Sequence, residues 1–200
     1  MGYRIVRLGL ARSESACGRW PFMTLRYCRL VPDGQVRLRR LESTEEIAPA
    51  AALVREFRDW VIERIRVELG IVIPIEADSL NGVLEEVLES GGRLYVAEVD
   101  GEALRVGGLK LFSDTVGEIK RMFVRPAAQG LGIGRAIVQQ LIDDARALGC
   151  ETIYLESASF MHAAHALYRS VGFVSGDSYA GREFEGRAPH VSVFMRLDLT

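Results

Sequence analysis

A strand-like run, Glu118 to Val124, ends at Arg125-Pro126 and passes through Gln129-Gly130-Leu131-Gly132-Ile133-Gly134 straight into an amphipathic helix. Ile133, Ile137, Leu141, Ala145 and Leu148 stripe that helix at its own period, and Gly149 ends it. Glycines between a strand and a helix bring free backbone N–H groups and the positive end of the helix dipole to one point. That point suits a phosphate. Similar glycine patterns also occur in loops that only turn a corner. The two standard nucleotide motifs fit poorly: a P-loop ends in Gly-Lys-Ser/Thr, whereas Gly134 precedes Arg135-Ala136. A dinucleotide fingerprint needs G-x-G-x-x-G, whereas Gly130, Gly132 and Gly134 alternate.

The remaining chain supplies layers for this segment. Ser43 and Glu46 have capping-box spacing. Ile47, Val54, Phe57, Val61, Ile65 and Leu69 then recur at helical intervals as far as Gly70, with Pro49 near the start of the regular part. Residues 79–89 read as a second short helix stopped at Gly91-Gly92. Leu94 to Val99 and Leu104 to Phe112 read as strands joined about Asp100-Gly101. Thr152 to Glu156 is a strand, His162 to Val171 a helix and Val191 to Leu199 a final strand. The order β-α-α-β-β-β-α-β-α-β gives an α/β fold, α+β by some schemes, with a central mixed sheet. Upstream, Thr24 to Val31 and Gln35 to Leu41 could pair about Pro32-Asp33-Gly34. Residues 1–35 otherwise read as an N-terminal extension: an added strand, an arm or a leader. Arg4, Arg7 and Arg12 interrupt its apolar residues, which disfavours a signal peptide.

A chain of 200 residues, 48% hydrophobic and 26% charged, can bury one substantial core and is most simply one domain. No apolar run approaches the ~20 residues of a membrane span. A net charge of −2 gives no general attraction to nucleic acid. Lys120, Arg121, Arg125 and Arg135 cluster near the glycine loop, either to meet phosphates or as a solvated basic surface. Cys17, Cys28 and Cys150 are odd in number, far apart and without metal spacing, and read as free thiols in a reducing cytoplasm.

Three signatures in order, over nearly 60 residues, make Gly117 to Phe173 resemble the GNAT superfamily of N-acetyltransferases. They are Glu118 to Pro126, then the Gln/Arg-x-x-Gly-x-Gly/Ala loop at Gln129, Gly132 and Gly134, then Ala164-x-x-Leu167-Tyr168-x-x-x-Gly172-Phe173. The resemblance extends more loosely over about residues 36–199. It implies a three-layer GNAT-type fold over residues 36–200, with acetyl-CoA as co-substrate, an amine acceptor and no metal; a homodimer is left open. The implied cofactor contacts are Met122, Phe123 and Val124 on the strand and Gln129, Gly130, Leu131, Gly132, Ile133, Gly134 and Arg135 around the loop. Met161 and Ala164 complete them. Many relatives carry Asn at the position of Met161, although a branch resembling this chain through Glu-x-Lys-Arg tolerates Met. The family's strand bulge would splay Met122–Val124 from Ile153–Glu156 and turn backbone N–H groups toward the thioester.

An alkyl amine with a pKa near ~10.4 must lose a proton before it attacks. Glu118 matches the family acid that takes this proton through water; the plainer reading is an edge-strand carboxylate paired with Lys120 or Arg121. Tyr168 matches the tyrosine that protonates the departing thiolate; the plainer reading is core packing. His162, His165 and His190 are further candidates for a base, with His162 and His165 expected on the solvent side of a helix. Asp143-Asp144 and Glu85-Glu86 read as solvated helix faces. In the family the acceptor lies between segments corresponding to about residues 57–80 and 175–190. A competing reading is a non-catalytic acetyl-CoA sensor.

Overall fold

The computed structural model describes residues 3–7, 35–72, 79–99, 101–125, 128–129, 132–179 and 191–200. Twelve regular elements follow in chain order: β1 (Tyr3–Arg7), β2 (Gln35–Leu41), α1 (Ala48–Leu69), α2 (Ser79–Glu89), β3 (Arg93–Val99), β4 (Glu102–Ser113), β5 (Val116–Val124), α3 (Ile133–Ala147), β6 (Thr152–Ala158), α4 (His162–Ser170), β7 (Val174–Ser175) and β8 (Ser192–Asp198). The described strands form one mixed sheet in the order β1-β2-β3-β4-β5-β6-β8-β7, and among them only the β5–β6 pair is parallel. Tyr3–Arg7 thus adds a strand ahead of β2. The expected hairpin partner, 24–31, lies outside the described residues, and so do Cys17 and Cys28.

Alternation decides the layering. On β3, Leu94 and Val96 join Ala50, Val54 and Leu84 of α1 and α2, while Tyr95 and Ala97 join Ile137, Leu141 and Ala145 of α3. Both faces of the central strands are therefore buried, as helices on either side require. The capping box expected at Ser43 and Glu46 does not form. Ser43 precedes a 3-10 turn, Thr44–Glu46, without a side-chain cap, and the Glu46 carboxylate accepts the Glu42 N–H at 2.9 Å. The α-helix begins at Ala48-Pro49, as Pro49 suggested, where proline's missing N–H costs nothing. Gly70, left-handed at φ 67°, ends it. Among the described residues no helix is long and apolar enough to cross a membrane.

The middle of the sheet is deformed at one place. Gly108 pairs with Lys120 and Val106 with Phe123, so two steps on β4 oppose three on β5. The extra residue is absorbed where Arg121 takes φ 55°, a conformation rare outside glycine. The bulge resets the alternation: Ile119 and Met122, three residues apart, both lie on the α3 face, while Phe123 packs on Phe57 of α1 at 5.2 Å. Gly107 sits opposite the bulge beneath α3, where an added Cβ would come 2.7 Å from Ile137 Cγ2.

Candidate active site

Pairing between β5 and β6 stops one step before the bulge. It runs from Val116–Thr152 to Ile119–Leu155, after which β5 continues to Val124 against β4, and β6 to Ala158 against β8. The facing edges beyond Ile119 and Leu155 diverge, leaving an opening in the middle of the sheet. It begins after Leu155, so Ile153 to Leu155 remain paired, slightly further along than the sequence suggested. Met122 and Val124 pack on the α3 side of this opening and Phe123 on the α1 side.

Glu118 stands on the second-last paired step, opposite Tyr154. Ile119 and Leu155 point into the α3 side, so Glu118 and Tyr154 face α1 and α2. The carboxylate is 1% exposed: Oε1 accepts the Tyr179 hydroxyl at 2.6 Å, and Oε2 lies 3.0 Å from Lys120 Nζ. A buried carboxylate needs such partners, since desolvation of an unpaired charge is prohibitive. Tyr179 also tilts against Tyr154, with centroids 4.8 Å apart. These two rings, with Ser175, Asp177 and Arg196, line a cavity of about 350 Å³. Of the expected acceptor segments, 73–78 and 180–190 lie outside the described residues.

Tyr168 lies on the other face, 5% exposed among Ile119, Leu155 and Phe173. Burial raises its pKa to about 12, while the Arg105 guanidinium acts in the opposite direction. The phenol is therefore intact at neutral pH. His165 is a correction: α4 turns it inward, buried, with Nε2 3.1 Å from Ser157 Oγ. Burial lowers its pKa, with the Arg169 and His162 charges acting the same way. His162 is exposed as expected, and His190 lies outside the described residues. Met161 is the N-terminal cap of α4, its sulfur 3.6 Å from Ser157 Oγ, and Ala164 packs on the main core.

The glycine loop enters α3 as expected. Gly132 caps the helix at φ 75°, a left-handed conformation that favours glycine, and Ile133 and Gly134 are buried. Gly130 and Leu131 lie outside the described residues; Gln129 is exposed. Three members of the basic cluster are engaged within the protein. Lys120 pairs with Glu118, and Arg125 bridges Glu56 and Glu102 at 2.5 and 2.7 Å. Arg135 donates to Ser170 Oγ at 2.6 Å. The sequence reading missed another cation, Arg105 on β4. It is 5% exposed, and burial lowers its pKa to about 9, which leaves it charged at neutral pH. Its signal was a charge set directly between the apolar residues Leu104 and Val106.

Comparison with known proteins agrees with this arrangement. The profile of the Acetyltransferase (GNAT) family matches residues 50–173. An IAA acetyltransferase of Azospirillum brasilense is 34% identical over 114 residues, 56% of this chain and 74% of its own length. An acetyltransferase of the GNAT family from Staphylococcus aureus superposes with a TM-score of 0.60 at 18% identity, covering 82% of this chain and 99% of its own. The YncA protein of Salmonella typhimurium, solved with its cofactor acetyl-CoA, gives 0.57 at 22% identity, covering 82% and 94%. The family match spans the strand, loop, helix and tyrosine described above, and the chain belongs to the GNAT acetyltransferase family.

Proposed function

We propose that this chain transfers the acetyl group of acetyl-CoA to a primary amine by direct attack, with residues 36–200 as the catalytic domain. Family membership supports the reaction class, and the observation that carries the detail is the pair of groups flanking the opening between β5 and β6. Glu118 approaches it from the α1–α2 face and Tyr168 packs on the α3–α4 face with its last paired residues. Bound acetyl-CoA supplies a thioester whose carbonyl an amine attacks. The chain's residues fit such a ligand: Gln129, Gly132, Ile133, Gly134 and Arg135 surround a helix start with no acid in its first turn. Backbone groups of Met122 to Val124, freed from β6, would hold the pantetheine arm.

The amine enters from the cavity walled by Tyr154, Tyr179, Asp177 and Arg196, whose mixed charge suits a small polar amine or amino acid, or a peptide N-terminus. Its proton passes to Glu118 Oε1 through the Tyr179 hydroxyl that donates to it, or through a water in that place. Tyr168 donates a hydrogen bond to the sulfur as charge develops. A thiol pKa of ~8.5 lies well below that of Tyr168, so the phenol stabilises the thiolate without surrendering its proton completely. The test is thiol release from acetyl-CoA across a panel of amines and amino acids, with mass spectrometry of the products. An acceptor gaining one acetyl group supports the proposal; cofactor binding with no acceptor in the panel acetylated would favour a sensor.

A further inference from the structure

The start of α3 collects positive charge that nothing in the described protein balances. The helix has no side-chain cap at Gly132 and no acidic residue in its first turn, so its N–H groups and dipole end are uncompensated. Directly beneath lies the Arg105 guanidinium: a Cβ added at Gly134 would come 2.6 Å from its Nη2 and 2.8 Å from its Cζ. Nε and Nη1 are buried with no hydrogen-bond partner among the described residues, and no carboxylate there pairs with the group. A buried, unpaired cation is costly, and the positive end of a helix makes it more so. Lys120, Arg125 and Arg135 each have a partner; among the described residues Arg105 has no counter-ion.

We infer that Arg105 is the side-chain half of a diphosphate site, meeting from the β4 side an anion that the first turn of α3 meets with backbone N–H groups. This rests on the proposed use of acetyl-CoA and adds a residue that the glycine loop does not reveal. Two donor sets of different kind then grip one ligand. The backbone orients it, and the guanidinium supplies charge and planar hydrogen bonds suited to phosphate oxygens. Gly134 serves the site indirectly, by leaving room for the guanidinium. Acyl donors with a diphosphate are thereby preferred over the bare pantetheine arm.

The experiment compares wild type, Arg105→Met and Arg105→Lys by calorimetry with CoA and with pantetheine, and by melting temperature with and without inorganic pyrophosphate. Arg105→Met should lose about 10- to 100-fold in CoA affinity, the effect of removing a charged hydrogen bond, with pantetheine affinity unchanged. Without ligand it should melt no lower than wild type, because an apolar chain replaces an unpaired buried charge. Pyrophosphate should raise the melting temperature of wild type and not of Arg105→Met. Arg105→Lys, which keeps the charge but not the fork, should fall between. Unchanged CoA affinity in Arg105→Met, an equal loss for pantetheine, or a lower ligand-free melting temperature would each overturn the inference, leaving Arg105 a packing residue. Failure of wild type to bind CoA at all would remove the underlying cofactor reading as well, and is told apart by the wild-type titration alone.

Discussion

Removing the Tyr168 hydroxyl isolates one interaction of the proposed chemistry. In Tyr168→Phe the ring keeps its place against Phe173, whose centroid is 5.8 Å away, so packing volume is conserved. What is lost is a hydrogen bond to sulfur that matters only as negative charge develops there. Hydrogen bonds to charged groups are worth about 1.5–3 kcal/mol. At about 1.4 kcal/mol per factor of ten, turnover should fall roughly 10- to 100-fold. Cofactor affinity should barely change, because the ground-state sulfur carries no charge. The pH dependence gives a second check. With the phenol pKa raised to about 12 by burial, Tyr168 does not titrate in the neutral range, and the two profiles should run parallel there. The assay is thiol release under saturating acetyl-CoA and amine, beside calorimetry with CoA and thermal unfolding. Turnover within about twofold of wild type, together with a clear fall in melting temperature, would refute the reasoning and return Tyr168 to the core.

Glu118→Gln keeps the hydrogen bond from Tyr179 but loses basicity, so turnover should drop at neutral pH and recover as pH rises toward the amine pKa of ~10.4; a pH–rate profile parallel to wild type would place the base elsewhere. His165 has its folded pKa held below the ordinary value of 6.5 by burial, so its contribution to stability is complete above about that pH and is lost as pH falls through the lowered pKa. Denaturant midpoints of His165→Leu should therefore decline less on acidification than those of wild type, and equal declines would dismiss the effect. Gly107→Val forces side-chain atoms into Ile137 and Met122 beneath α3 and should destabilise by about 1–3 kcal/mol in urea unfolding; an unchanged midpoint would mean that α3 shifts off the bulge at no cost.

Elements that rest on local periodicity are legible in the amino-acid sequence. Ile133, Ile137, Leu141 and Ala145 need only the helical repeat, and Gly70 and Gly149 mark helix ends as left-handed residues should. The deformation at the centre of the sheet is not legible as residues, because Arg121 takes a positive φ that its identity does not advertise. His165 reads as a surface residue from its own polarity, since its partner Ser157 arrives from β6, outside the helix. The basic cluster misleads for a related reason. Proximity in sequence suggests that Arg125 is available to phosphate, but the partners that neutralise it are Glu56, 69 residues away, and Glu102, 23 residues away. Charge balance is settled by tertiary contacts, so counting cations near a motif cannot identify the one left over. Arg105 is left over in this sense, buried and without a counter-ion among the described residues, 29 residues before Gly134 and facing it. A lone charge on a strand buried on both faces must either find a partner or await one. Where the surrounding core offers none beside a helix start, the simplest electrostatic completion is an anionic ligand.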